Sequence, residues 1–209
     1  MIILFIALAI LLVLVVCFII FYPILLKRKY KKGFLKIYGK KIYRYALHND
    51  LYLINQLELR CNDDQMLNID HLLFGNKYIY VISDYYLPGV IEAKENDQSF
   101  IYQSIEKNSQ KVYIDSLLLR NEAITKKLAV NLGLNPSLFV SIAIVDNDSE
   151  FKELKKTNKD NYMIHISNFS KLLNKLESRN VAPLNDEQLK YTVKDVNRLN
   201  ERRKERTEH

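Results

Sequence analysis

The stretch from Asn68 to Ile82 constrains the fold more than any other part of the chain. It holds two runs of β-branched, aromatic and aliphatic residues, 69–74 and 78–82, which are typical of strands. Gly75 and Asn76 stand between them, and both residue types tolerate the positive φ of tight turns. The pattern therefore predicts an antiparallel hairpin. Asp70 lies in its first strand and needs a partner there, because burying an unpaired carboxylate is costly.

Further strands and helices are predicted on both sides of this hairpin. The strand candidates are 51–54, 57–60, 90–93, 99–102, 111–114, 138–145 and 162–166. The run 138–145 is apolar almost throughout, which is typical of a strand buried on both faces. A helix is predicted to begin after Ser116 and to end at Gly133, and two more are predicted over 170–178 and 186–206. The order indicates an α/β domain with a mixed sheet flanked by helices.

The beginning of the chain predicts a transmembrane helix. Residues Ile2 to Leu26 include no charged side chain, and a helix of that length covers the hydrocarbon core of about 30 Å at about 1.5 Å per residue. No basic residue precedes the apolar run and no small-x-small cleavage site follows it, which argues against a cleaved signal peptide. A lipoprotein signal is also disfavoured, because Val16 rather than a small residue precedes Cys17.

Basic residues follow the apolar run directly, and no acid appears before Asp50. By the positive-inside rule, this charge predicts a single-pass protein with its N-terminus outside and its domain in the cytoplasm, in a plasma membrane of prokaryotic type. The same charge is suited to contact anionic lipid or nucleic acid. The residues predicted for this contact are Lys27, Arg28, Lys29, Lys31 and Lys32. The expected partners are the bilayer, through 2–26, and a nucleic acid or a protein, but no small-molecule substrate.

These observations divide the chain into four parts. They are an anchor over 1–27, a basic amphipathic helix over 28–49, an α/β domain over 50–180 and a charged C-terminal helix or tail over 181–209. The two cysteines, Cys17 and Cys61, are too few and too far apart for a disulfide framework or a zinc site. The chain has only five glycines, which excludes Gly-rich phosphate loops.

The hairpin also carries a resemblance to a known family. The matching segments are Ile69-Asp70-His71, the turn, Tyr80-Val81-Ile82 and Pro88-Gly89-Val90-Ile91. In order and spacing they resemble the NERD (nuclease-related) domain, over about 34–146. The resemblance implies a restriction-endonuclease-like fold, in which an Asp and a Glu bind a divalent metal and a Lys assists hydrolysis. Family members often carry one N-terminal membrane helix.

The sequence departs from this family at the catalytic positions. Ser83 stands where the family has the Glu, and Tyr85 stands where it has the Lys. Lys40 follows Gly39, where the family often has a Glu that contributes to the metal site. The resemblance therefore implies a catalytically inactive domain without a cofactor, which acts as a binding or scaffold module at the cytoplasmic membrane face.

An alternative keeps the nuclease activity. Glu92-Ala93-Lys94 is a literal E-x-K, so Asp70 and Glu92 are candidate ligands of Mg²⁺ or Mn²⁺, with Lys94 as the third catalytic residue. The simpler interpretation makes Glu92 and Lys94 a solvent-facing pair on a strand. In that case Asp70 accepts a hydrogen bond from a backbone N–H, from Ser83 or from a tyrosine. Three further acids, Asp146, Asp148 and Glu150, follow the buried strand and are predicted to be loop or helix-start residues.

Overall fold

The structure is a computed structural model, which describes residues 2–61, 65–94, 96–105, 109–154 and 158–200. Before residue 30, side chains are described at 11, 12, 15–19, 21, 22 and 25 only. The chain divides into two compact units, 1–37 and 38–209. The first helix, α1 (Ile2–His48), contributes to both of them. The predicted turn over 62–64 lies outside the described residues.

The prediction of a transmembrane anchor is wrong. In the described part of the chain, no helix offers an apolar stretch long enough to cross a membrane. Crossing requires about 20 consecutive apolar residues in a helix, and the prediction had counted such a run in the sequence alone. The single-pass topology and the cytoplasmic placement of the domain depended on that anchor and are overturned with it. The contact of 2–26 with lipid stays a prediction.

The second unit is built from strands and helices. The strands are β1 (Tyr52–Arg60), β2 (Met66–Phe74), β3 (Ile79–Asp84), β4 (Gly89–Glu92), β5 (Ser99–Ser104), β6 (Val112–Asp115), β7 (Phe139–Val145), β8 (Ser149–Lys152) and β9 (Asn161–His165). The helices after α1 are α2 (Leu117–Leu132), α3 (Phe169–Glu177) and α4 (Asp186–Leu199), with short 3-10 turns at Pro136–Leu138 and Ile166–Asn168. The strands form two sheets, where the sequence had predicted one.

The first sheet has the order β1-β2-β3-β7-β9. Strands β1, β2 and β3 are antiparallel, whereas β7 runs parallel to β3 and β9 runs parallel to β7. The predicted hairpin is confirmed, because β2 pairs with β3 from Phe74 opposite Ile79 to His71 opposite Ile82. At the turn, the Gly75 N–H donates to the Tyr78 carbonyl at 2.9 Å.

A backbone irregularity lies opposite Asp70. Gln56 has a φ of 54°, and the β1–β2 ladder is interrupted there, between Asn55 opposite His71 and Leu57 opposite Ile69. Side chains normally alternate between the faces of a strand. The left-handed residue breaks this alternation, so that Ile54 and Leu57 pack in the same core although they are three positions apart. The two predicted segments, 51–54 and 57–60, are thus halves of one irregular strand.

The first sheet is covered on both faces. On one face, Leu72 and Val81 pack in a core with Leu128 of α2 and Val196 of α4. On the other face, α1 brings Gly39 close to His71, and Tyr80 donates its hydroxyl proton to Glu177 at the end of α3. The segment predicted as a charged C-terminal helix or tail, 181–209, includes α4, in which Val193 and Val196 are buried. Residues 201–209 lie outside the described residues.

The second sheet has the order β6-β5-β4-β8, with β4 antiparallel to β5 and parallel to β8. Its buried face packs Ile91 and Phe100 against Ala143 and Met163 of the first sheet. Helix α2 follows β6 directly and begins as predicted, because the Ser116 hydroxyl accepts a hydrogen bond from the Leu119 N–H. The second sheet thus adjoins β7, the central parallel strand of the first.

Candidate functional site

The candidate site lies where strands β2 and β3 stop pairing. The Asp70 carboxylate oxygen Oδ2 accepts a hydrogen bond of 2.9 Å from the Asp84 N–H, just beyond the last paired residues of the hairpin. This is one of the partners that the sequence had suggested for Asp70. One oxygen of the Asp70 carboxylate is therefore occupied by a backbone N–H.

The face of β3 toward α2 carries a neutral network. Ser83 is buried and donates through Oγ to Asn121 Oδ1 at 2.7 Å. The Asn121 side chain is fully buried and donates through Nδ2 to the Val81 carbonyl at 3.2 Å. Tyr85 is the next residue on this face of β3 and lies near Ser83. Burial raises the pKa of Tyr85, opposed by the positive charge of Arg120, so this phenol carries no negative charge at neutral pH.

The opposite face of β3, toward α1, carries ionisable side chains. His71 Nε2 lies 2.8 Å from Asp84 Oδ2, and His71 Nδ1 lies 2.6 Å from Asn55 Oδ1. Exposure is 7% for the His71 side chain and 0% for the Asp84 side chain. Burial is the largest influence on Asp84 and raises its pKa, while the bond to His71 lowers it and the charge of Asp70 raises it further. Asp84 Oδ1 is buried with no hydrogen-bond partner.

Asp84 does not share a face of β3 with Ser83 and Tyr85. Its carboxylate is directed to the α1 face and is held by His71, whereas Ser83 and Tyr85 interact with α2. Among the residues that the structure describes, no three His, Cys, Asp or Glu side chains are grouped so that they could hold a metal ion.

Glu92 and Lys94 lie in a different place from Asp70. Glu92 is the last residue of β4 in the second sheet, and its carboxylate pairs with Lys111 Nζ at 2.9 Å. The hydrogen bond from Lys111 lowers the pKa of Glu92. Lys94 is exposed beyond the strand and, with Glu92 and Tyr113, lines a surface depression of about 370 Å³. The structure does not bring this E-x-K together with Asp70, which belongs to the first sheet.

Asp146, which follows the buried strand β7, holds the surrounding loop by hydrogen bonds. Asp146 is 1% exposed, and its Oδ2 accepts hydrogen bonds from the Leu87 N–H and the Ser149 hydroxyl, at 2.9 and 3.1 Å. Its Oδ1 accepts from the Asp148 N–H at 2.9 Å. Asp146 is thus the loop residue that the sequence predicted. Glu150 lies in β8 rather than at the start of a helix.

The basic residues predicted to contact nucleic acid or lipid are only partly described. The side chains of Lys27, Arg28 and Lys29 lie outside the described set, whereas Lys31 and Lys32 are exposed on α1. In the second unit, Lys40 and Arg44 are also exposed on α1. Residues four apart lie on the same face of a helix, so this pair presents two positive charges side by side.

Sequence reasoning missed the partners that complete both networks. Asn55 and Asp84 are 29 positions apart and meet His71 only through strand pairing. The burial of Asn121 against Ser83 could not be deduced without the packing of α2. No protein-family model matches the chain, and no curated protein or solved structure is significantly similar to it.

Proposed function

We propose that the second unit is a NERD-like domain of the restriction-endonuclease type that binds nucleic acid without cleaving it. Support for the family comes from the element order of the first sheet. A helix (α1) precedes three antiparallel strands (β1–β3), and a helix (α2) then leads to a strand (β7) parallel to β3. This is the order expected from the resemblance of the hairpin sequence.

The occupation of the catalytic positions carries the proposal that the domain does not cleave. Metal-assisted hydrolysis uses a cation that polarises the phosphate and activates a water molecule, and such a cation needs several oxygen ligands. Here Ser83 is hydrogen-bonded to Asn121, and both side chains are neutral. Asp70 accepts a hydrogen bond from the Asp84 backbone N–H.

The partner is inferred from charge. The net charge of the chain is +7, and Lys40 and Arg44 expose adjacent positive charges in the second unit. In the first unit, Lys32 and Lys36 are exposed with the same spacing. Nucleic-acid backbones bind such surfaces by releasing condensed counterions, which makes the affinity fall steeply with salt.

Cleavage is tested by incubating the full chain with linear DNA, plasmid DNA and RNA in Mg²⁺ and in Mn²⁺. We expect all substrates to remain intact. Cleavage that is lost in both Asp70→Ala and Glu92→Ala would overturn the proposal, because it would establish the alternative nuclease built on Asp70, Glu92 and Lys94.

Binding is tested by fluorescence anisotropy with labelled single-stranded and duplex oligonucleotides. We expect the Kd to rise at least tenfold between about 50 and about 200 mM salt. The charge reversals Lys40→Glu and Arg44→Glu should each weaken binding, whereas the matched reversal Lys171→Glu, at an exposed position of α3, should not. No binding at low salt, or an affinity that is independent of salt, would contradict a nucleic-acid partner.

A further inference from the structure

The outer edge of β6 is less protected than the edges at β1 and β8. An edge strand presents unpaired backbone groups, and natural proteins blunt such edges with bulges, charges or covering segments. Edge strand β1 has the left-handed Gln56, and its Glu58 N–H donates to Asn200 at 3.3 Å. Edge strand β8 carries the exposed charges of Glu150 and Lys152 and is followed by Glu153, with a φ of 59°.

Strand β6 has none of these devices in its middle. Among the described residues it pairs only with β5, and its first two residues, Val112 and Tyr113, are 48% and 78% exposed. Both residue types favour strands. Alternate residues of an edge strand direct their N–H and C=O groups outward, so the free side of β6 can pair with another extended segment.

The sequence around β6 is complementary to itself in the antiparallel direction. If two copies align with Tyr113 opposite Tyr113, Lys111 of each copy stands opposite Asp115 of the other, and Val112 stands opposite Ile114. Opposite charges directly across a strand pair attract, and so do aliphatic and aromatic pairs. Two copies of this segment thus place opposite charges across from each other in an antiparallel pair.

The two faces of the second sheet agree with this alignment. Ile114 belongs to the apolar face, where it packs against the core that contains Phe100. Val112 is on the same face at the end of the strand, half-exposed, and a partner's Ile114 would cover it. Tyr113 and Lys111 lie on the other face, beside Glu92, so charged and apolar side chains do not compete for the same positions.

We propose that β6 pairs antiparallel with β6 of a second copy of this chain, joining two four-stranded sheets in a symmetric dimer. The contact is isologous, because each copy contributes the same segment. A strand of this length buries less than a standard interface, so the dimer dissociates at roughly micromolar or higher concentrations.

The test is sedimentation velocity of the full chain over a concentration series from about 1 µM to about 500 µM, the range of weak interfaces. We expect a monomer–dimer equilibrium. Lys111→Asp and Asp115→Lys should each raise the dissociation constant about tenfold or more, because both symmetric pairs change from attraction to repulsion. The double variant restores the opposite charges and should recover the dimer.

Two controls separate this contact from other effects. Glu92→Gln removes the partner of Lys111 within the chain and should leave the dimer intact. Hydrogen exchange provides a second measurement, since the outward amides of β6 should be protected only at high concentration. A monomer at every concentration, a dimer indifferent to the single reversals, or no recovery in the double variant would each overturn the proposal.

Discussion

At the end of β3, the face packed against α2 and the face packed against α1 differ in charge. Toward α2, Ser83 and Asn121 are joined by a hydrogen bond between neutral groups, and the Tyr85 phenol nearby is also neutral. Toward α1, the Asp84 carboxylate meets the His71 imidazole in a site closed to solvent. Adjacent residues of one strand thus have opposite electrostatic environments.

The acid at the end of β3 lies on the face that is closed to solvent. Asp84 directly follows Ser83, but the alternation of side chains along β3 directs its carboxylate to the closed face. The residues that face α2 include no acid. A carboxylate that is buried beside a histidine affects the stability of the fold, but a phosphate group in solvent does not reach it. We therefore expect changes on the α1 face to act on stability through charge, and changes on the α2 face to act through hydrogen bonding alone.

The largest effect is expected from removing the acid of the closed face. Asp84→Ala leaves His71 buried without its carboxylate, and breaking a buried pair in this way destabilises proteins by about 3–5 kcal/mol. Urea unfolding measures the loss. Asp84→Asn, which keeps the shape and a polar oxygen, should lose less. A loss below about 1 kcal/mol for Asp84→Ala would show that the pair is weak.

An intermediate effect is expected from the neutral face. Asn121→Ala removes the partner of Ser83 and of the Val81 carbonyl, both of which are buried. Leaving such groups unpaired costs about 1–3 kcal/mol, and no charge is involved. The loss in urea unfolding should therefore be the same at every pH at which the protein is folded. A loss that varies with pH would contradict the neutral character of this network.

The dependence on pH distinguishes the two faces directly. Burial raises the pKa of Asp84 above its usual 3.8, so the folded state binds this proton more tightly than the unfolded state does. The stability from this group is therefore complete below about pH 3.8 and is lost as the pH rises through the raised pKa. His71, which lowers the pKa of Asp84, and Asp70, which raises it, are the other groups that act on it.

The measurement compares the wild type with Asp84→Asn, which does not titrate. The free energy of unfolding of the wild type minus that of the variant should decrease as the pH is raised from about 4 to about 7. The matched comparison with Asn121→Ala should be flat. A difference that increases with pH would mean that the bond from His71 outweighs burial.

The smallest effect is expected where α1 meets the closed face. A Cβ built on Gly39 would lie 3.4 Å from His71 Cε1, which is an ordinary contact distance. Alanine is the better helix former, so Gly39→Ala should stabilise the protein by about 0.5–1 kcal/mol without disturbing the pair. Thermal unfolding checks the sign. A destabilised variant would show that α1 lies too close to His71 for an added methyl group.

Local chemistry explains which parts of the fold were predictable. The hairpin follows from Gly75-Asn76 between two strand-forming runs, and α2 follows from Ser116 and Gly133, which has a φ of 61°. Strand β8 was missed because Ser-Glu-Phe-Lys is short and charged, and it becomes a strand only by pairing with β4. The left-handed Gln56 carries no sequence signal of its own, since glutamine is not a turn residue.

The site was predictable to a smaller extent. The separation of Ser83 and Tyr85 from Asp84 follows from strand alternation alone. The identities of the partners, Asn55 and Asn121, depend on register and on helix packing, which a single sequence does not determine. The transmembrane anchor was predicted by counting consecutive apolar residues, and such a count does not establish that the segment forms a membrane-spanning helix.

The central claim is that Asp70 does not hold a metal for catalysis, and calorimetric titration of Mn²⁺ into the full chain tests it most directly. A lone carboxylate binds a hard cation weakly, because useful sites need several oxygen ligands. We predict no saturable binding below millimolar Mn²⁺, with identical heats for the wild type and Asp70→Asn. Saturable binding at micromolar Mn²⁺ that disappears in Asp70→Asn would contradict the account.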